Sequence, residues 1–151
     1  RQSLGVTARF CIAQFAGAAL AATLAYLGAS EVINVHMGPN DGFGPWALFV
    51  VEVQYTAMLC LAYLSCAASP QNNPTRDQNC HAAIAVAFSF IGGAYASRTV
   101  SGSVLNPAIA FGVGIVQTNT WATFYFLCEI VGALIAAGTY RLLRPKDLSD
   151  L

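Results

Sequence analysis

Charge is scarce in this 151-residue sequence: Asp, Glu, Lys and Arg make up 9% of it, against about 25% in a soluble domain. The few charges cancel to a formal net charge of zero, so no basic surface invites nucleic acid and no acidic tail suggests a solvating segment. Histidine is nearly absent as well. His36 and His81 stand far apart and suggest neither a metal site nor a catalytic dyad. The five cysteines form an odd set without a CxxC pair, and most sit in apolar runs, where a thiol packs as a small hydrophobe. No Ser-His-Asp order, glycine-rich phosphate loop or paired catalytic carboxylates stand out. The expectation is a protein that is not an enzyme and has no metal and no cofactor.

Hydrophobic residues fill that gap: they form 56% of the chain, and the mean hydropathy is +0.57. Uncharged or nearly uncharged runs of about the length that spans a bilayer core cover residues 10–30, 46–68, 82–97 and 121–140. These predict an all-α, multi-pass integral membrane protein with a single transmembrane domain over 1–151. The sequence leaves the particular membrane open. Between the first two runs, Gly38-Pro39, Asn40, Asp41-Gly42 and Gly44-Pro45 cannot continue a helix. A second polar stretch, SPQNNPTRDQN, separates the next two. The chain begins with Arg1 rather than Met, so either its start is processed or it belongs to a longer polypeptide.

A fifth apolar stretch, within 104–116, is too short for a comfortable crossing. Four crossings place Arg1, Arg9, Arg76, Arg141, Arg144 and Lys146 on one face and only Arg98 on the other, in keeping with retention of positive charge on the cytoplasmic side. A fifth crossing would break that pattern. The segment 99–116 is therefore expected to dip into the membrane and return. Backbone at that depth must be satisfied by protein or a water-filled cavity. Asn106 is a favoured N-cap and Pro107 suits a first helical turn. A half-helix starting there points its positive dipole end into the membrane, which orients a neutral solute with lone pairs and repels cations.

The stretch SGSVLNPAIAFG resembles the second Asn-Pro-Ala signature of the aquaporin family, the major intrinsic proteins. That signature is usually a Ser/Thr-Gly, a short spacer, then NPAR and a Phe-Gly. IAQFAGAALAA (12–22) is similar to the family's third helix and FVVEVQYTAMLCLAY (49–63) to the fourth, with a Glu and a Thr four residues on. AIAVAFSFIGGAYA (83–96) and YFLCEIVGALIAA (125–137) resemble the fifth and sixth. The resemblance implies an aquaporin-like fold with four transmembrane helices and one re-entrant half-helix, a partial inverted repeat. Asn106, Pro107 and Ala108 would be the pore motif. The first two family helices and the first half-helix would lie before Arg1, so the chain would supply half a pore.

The family's Arg after Asn-Pro-Ala is replaced by Ile109. Alignment puts Ala94 where many water-selective members carry His, and Ser103 three residues before Asn106. Ala94, Ser103 and Ile109 would then form a wider, more apolar constriction; Arg98 is off register. Glu52 lies deep in a span, where an ionisable group costs about 2.5–3.5 kcal/mol on insertion scales and needs a partner. By resemblance it buttresses the loop 99–105 through backbone N–H groups, with proton relay the alternative. Glu129, where the family usually has an uncharged residue, could face a partner subunit, a ligand or lipid headgroups, and its role is left open. Gly17, Ala21, Gly92, Gly93 and Gly132 are expected to allow close helix packing, and Trp46, Trp121 and Tyr140 to anchor span ends at the interface.

The functional expectation is a channel for water or a small neutral solute, homotetrameric by resemblance and surrounded by membrane lipids. The alternative is a non-conducting structural subunit of a larger membrane complex, motivated by the absent first half, Ile109 and Glu129.

Overall fold

The computed structural model describes residues 3–28, 36–74, 79–117 and 119–149. Its elements are α1 (Leu4–Gly28), α2 (Pro45–Tyr63, continued by a π-helical turn Leu64–Ala68), α3 (Ala82–Ser101), α4 (Pro107–Gln117), α5 (Trp121–Leu143) and the short α6 (Pro145–Ser149). α1, α2 with its π turn, α3 and α5 are each long and apolar enough to cross a membrane. α4, with 11 residues, is roughly 16 Å long, about half a hydrocarbon core. This is an integral, multi-pass, all-α membrane architecture.

The helix ends differ from the hydropathy runs for local reasons. α1 starts at Leu4, where the Ser3 carbonyl and hydroxyl take the N–H of Val6 at 3.0 and 3.4 Å; residues 29–30 of the expected span lie outside the described residues. α3 runs to Ser101 rather than 97. Ser97 Oγ donates back to the Gly93 carbonyl (2.8 Å), and Ser101 Oγ lies 3.3 Å from the Ser97 carbonyl, so hydroxyls that look like loop residues in the sequence sit within the helix. The non-helical run is consequently 102–106, and Thr99 is helical. Pro145 stops α5 after Leu143, and the Arg144 N–H closes the last turn on the Tyr140 carbonyl at 2.8 Å. Arg1 and Arg76 of the expected charge pattern lie outside the described residues.

The interior is small and built mainly between α2, α3 and α5 with α4 leaning on α5 and α1. Leu48, Val104, Ala110, Tyr125 and Cys128 cluster with Met37 from the loop. Most outward faces are apolar, as a lipid-facing surface requires: Phe88, Leu134 and Leu142 are among many large exposed hydrophobics. α1 has no buried residue and packs on α4, where Phe15 meets Phe111 edge-on at 5.1 Å.

Small residues set the helix approaches. A methyl at Gly132 would stand 2.7 Å from the Val53 carbonyl oxygen and 2.9 Å from Thr56 Cβ, and one at Gly93 would stand 3.2 Å from Tyr55 Cβ. Gly17 and Gly92, expected to pack similarly, meet nothing within 4 Å. The close fits that the sequence reading missed are Gly112 against the Ala18 carbonyl (3.0 Å) and Gly114 against Ala122 Cβ (2.5 Å). These let the half-helix nestle between α1 and α5.

Tyr140 is buried within the protein at the end of α5. Its hydroxyl donates to Asp147 Oδ2 at 2.5 Å, and Ser69 Oγ donates to the same oxygen at 2.6 Å. α6 is thereby latched to the turn after the π helix. Trp46 is 74% exposed and stacks on Phe49, as an interfacial residue would; Trp121 instead packs against Gly38.

Candidate pore half-site

The chain leaves α3 at Gly102, whose φ of 81° and N–H bond to the Arg98 carbonyl (3.1 Å) make a left-handed helix stop. A side chain there would also crowd the His36 carbonyl, 3.2 Å from an added Cβ. Ser103 (φ 65°) and Leu105 (φ 51°) follow in the same sparsely populated region. Two such non-glycine residues cost of the order of 1–3 kcal/mol each and persist only where surroundings over-determine them.

Those surroundings are two carboxyl groups. Glu52 on α2, fully buried, takes the Val104 N–H on Oε1 (3.3 Å) and the Leu105 N–H on Oε2 (3.0 Å), while Ser101 Oγ donates to Oε1 at 2.5 Å. Glu129 on α5, also buried, takes the next N–H, that of Asn106, on Oε1 at 2.9 Å. Alternating backbone signs turn successive amides toward one side, forming an anion-binding concavity. The Ser103 N–H completes the set by reaching Ser101 Oγ at 3.3 Å. The expectation that Glu129 faces a partner, ligand or headgroups is therefore corrected: α5 turns it inward because Gly132, one turn on, must face α2.

All peptides are trans, so each carbonyl points opposite to the following N–H. With the amides of 104, 105 and 106 committed to carboxyl groups, the carbonyls of Ser103, Val104 and Leu105 point away from Glu52 and Glu129.

Asn106 then opens α4. Its Oδ1 accepts the Ala108 N–H (3.0 Å), and its carbonyl accepts those of Ile109 (3.0 Å) and Ala110 (3.1 Å), while Pro107 has no N–H to leave bare. The depth follows from the partners. Glu129 lies roughly 12 Å along α5 from Trp121, and Glu52 roughly 10 Å along α2 from Pro45. Glu129 and Glu52 thus meet the loop about two turns in from the starts of α5 and α2.

The loop is strapped from outside by residues 37–40. The Gly38 N–H donates to the Tyr125 hydroxyl at 3.2 Å, and that hydroxyl also bonds the Ser101 carbonyl. The Asn40 N–H binds the Val100 carbonyl (2.9 Å) and its Nδ2 the Arg98 carbonyl (3.0 Å).

Of the three constriction candidates, Ala94 and Ser103 come together: Ser103 Oγ hydrogen-bonds the Ala94 carbonyl and lies 2.6 Å from Ser97 Oγ. Both line a groove with Phe90, Tyr95 and Arg98. Ile109 is 45% exposed on α4 and is not part of that lining.

A helical pair carrying a buttressed re-entrant loop and an Asn-Pro-Ala half-helix defines a class of membrane protein, and comparison with known proteins identifies it. The family model described as major intrinsic protein matches residues 3–140, and the chain belongs to that family. It is 28% identical over 144 residues to a probable aquaporin TIP1-2 of Oryza sativa subsp. japonica, covering 91% of this chain and 56% of that protein. It is 31% identical over 153 residues to aquaporin AqpM of Methanothermobacter thermautotrophicus (96% and 57%) and 28% over 155 residues to aquaporin-4 of Mus musculus (97% and 45%). The chain thus spans about half the length of the curated relatives it matches. No solved structure shows a significant match.

Proposed function

We propose that this chain forms one half of an aquaporin-type channel that passes water or a small neutral solute. The observation that carries this reading is the loop 102–106. Its amides are consumed by Glu52 and Glu129, its carbonyls of Ser103, Val104 and Leu105 face the other way as a row of acceptors, and the positive end of α4 follows directly. Such a row exchanges hydrogen bonds with a solute that donates, while the helix dipole disfavours cations. The side-chain oxygen of Asn106 is engaged by Ala108, which leaves Nδ2 to present a donor beside the acceptors. Asn106, Pro107 and Ala108 act as the pore motif, Ala94, Ser103 and Ile109 as constriction positions, and Glu52 as the loop's buttress rather than as a proton relay. The functional unit is a homotetramer in lipid, with the first half-helix supplied from outside the 151 residues.

Vesicles reconstituted with the protein as isolated from its native membrane are expected to shrink faster than empty vesicles under an osmotic step. Equal rates would refute transport.

A second reading is favoured by Ile109, which removes the constriction charge that the family ordinarily supplies: a non-conducting scaffold within a larger membrane assembly. Fixed-ratio co-purification with unrelated subunits supports it, and isolation as a homotetramer removes it.

A further inference from the structure

Glu129 is an acid in the middle of an apolar helix, yet it is 1% exposed and touches the residue on which the half-helix turns. A carboxyl group at that depth is costly. A leucine of similar size would fit the same apolar helix without that penalty, so the group must do something that a hydrocarbon cannot.

The hydrogen-bond inventory identifies what that is. The Asn106 N–H precedes the helix and has no intrahelical acceptor. Glu52 is already committed: Oε1 serves Ser101 and Val104, and Oε2 serves Leu105. The next amide along requires a second acceptor, and Glu129 Oε1 stands 2.9 Å from it. Its other oxygen, Oε2, is buried without a hydrogen-bond partner among the described residues. Glu52 is thus surrounded by three donors, whereas Glu129 meets one.

We infer that Glu129 is a positioning residue that holds the Asn106 backbone at the mouth of the half-helix, and that it contributes a hydrogen-bond acceptor rather than a negative charge. α2 and α5 divide the loop between them. Glu52 fixes its middle, and Glu129 fixes the residue whose carbonyl and Oδ1 cap α4. The consequence for transport rests on the channel reading above; the structural part does not.

The test uses Glu129→Gln, which retains an acceptor oxygen, and Glu129→Leu, which removes it, in vesicles containing the protein as isolated. Water permeability is expected to survive in Glu129→Gln and to fall about tenfold in Glu129→Leu, the size expected when one buried amide is left unpaired. In parallel, solid-state NMR of lipid-embedded protein follows the Asn106 amide proton. It should remain at a hydrogen-bonded shift in wild type and Glu129→Gln and move upfield in Glu129→Leu. An Asn106 amide unchanged in Glu129→Leu overturns the proposal. Equal loss of permeability in both variants also overturns it, because charge rather than an acceptor would then be needed. If Glu129→Leu does not assemble, Glu129→Gln decides alone: a displaced Asn106 amide in that variant counts against the inference, and a retained one supports it. Should the wild type not conduct, the channel reading fails while the amide shifts still judge this one.

Discussion

Gly132 and the Val53 carbonyl mark a close approach of α5 to α2, with 2.7 Å between that oxygen and the place a first side-chain carbon would occupy. Backbone lies on the far side of the contact, so no side chain can swing away. Gly132→Ala should therefore push the helices apart and lower stability by about 1–3 kcal/mol, the usual cost of overpacking. Thermal unfolding in detergent micelles reads this as a lower midpoint. Gly92→Ala, at a glycine with open space around it, serves as the control and should unfold like wild type.

The buttress demands an acceptor-only group. Glu52→Gln retains one oxygen but turns an NH2 toward donors already aimed at the site, namely Ser101 Oγ and the amides of Val104 and Leu105. One or more buried donors then lose their partner, at about 1–3 kcal/mol each. The expected result is a lower unfolding midpoint together with strongly reduced water permeability in vesicles. Wild-type behaviour in both would mean that the loop does not depend on Glu52. This variant should differ from Glu129→Gln, since Glu52 meets three donors and Glu129 one.

At the opposite end of the helices, Asp147 joins α6 to the turn at Ser69. The Ser69 hydroxyl, and then that of Tyr140, hold the Asp147 carboxyl below its ordinary range, and Arg144 acts in the same sense. A depressed folded-state value means that the latch is at full strength above the unfolded value, about 3.9, and weakens as the pH falls through the folded one. Hydrogen exchange at the Asn72 and Asn73 amides, which bond to Ser69, should stay constant from neutral pH to about 5 after correction for intrinsic rates, and accelerate only below about 4. Asp147→Asn should show the accelerated exchange already at neutral pH.

Ile109 follows the Asn-Pro-Ala motif where the family carries Arg, and it is partly exposed on α4. Placing a guanidinium there adds fixed charge and several donors at the position where the proposed channel would be narrowest. Ile109→Arg is expected to lower the permeability of uncharged solutes larger than water, such as glycerol, more than that of water itself. Stopped-flow measurements with both solutes give the ratio; an unchanged ratio would remove Ile109 from the constriction.

Much of this architecture is legible residue by residue. Spanning length and hydropathy announce the four crossings, and Asn106-Pro107 announces a helix start, because both signals act within a few neighbouring residues. α3 continues four residues past the uncharged run 82–97, which ends at Arg98, because a helix does not stop where charge begins; the Ser97 hydroxyl bonds back to the preceding turn. The inward direction of Glu129 was not legible, because the direction a helical side chain faces depends on which glycine its helix must press against another. No spacing between positions 106 and 129 encodes that.

By itself, the sequence determined that the chain is helical, lies in a membrane and turns back on itself at Asn106, since solvation by lipid and N-capping are local physics. Only the tertiary structure decided which carboxyl groups receive the amides of residues 104–106, which glycines bear the helix contacts, and that Tyr140 is latched to Asp147. Those outcomes depend on distances between segments far apart along the chain, and packing fixes such distances only once all the helices are in place.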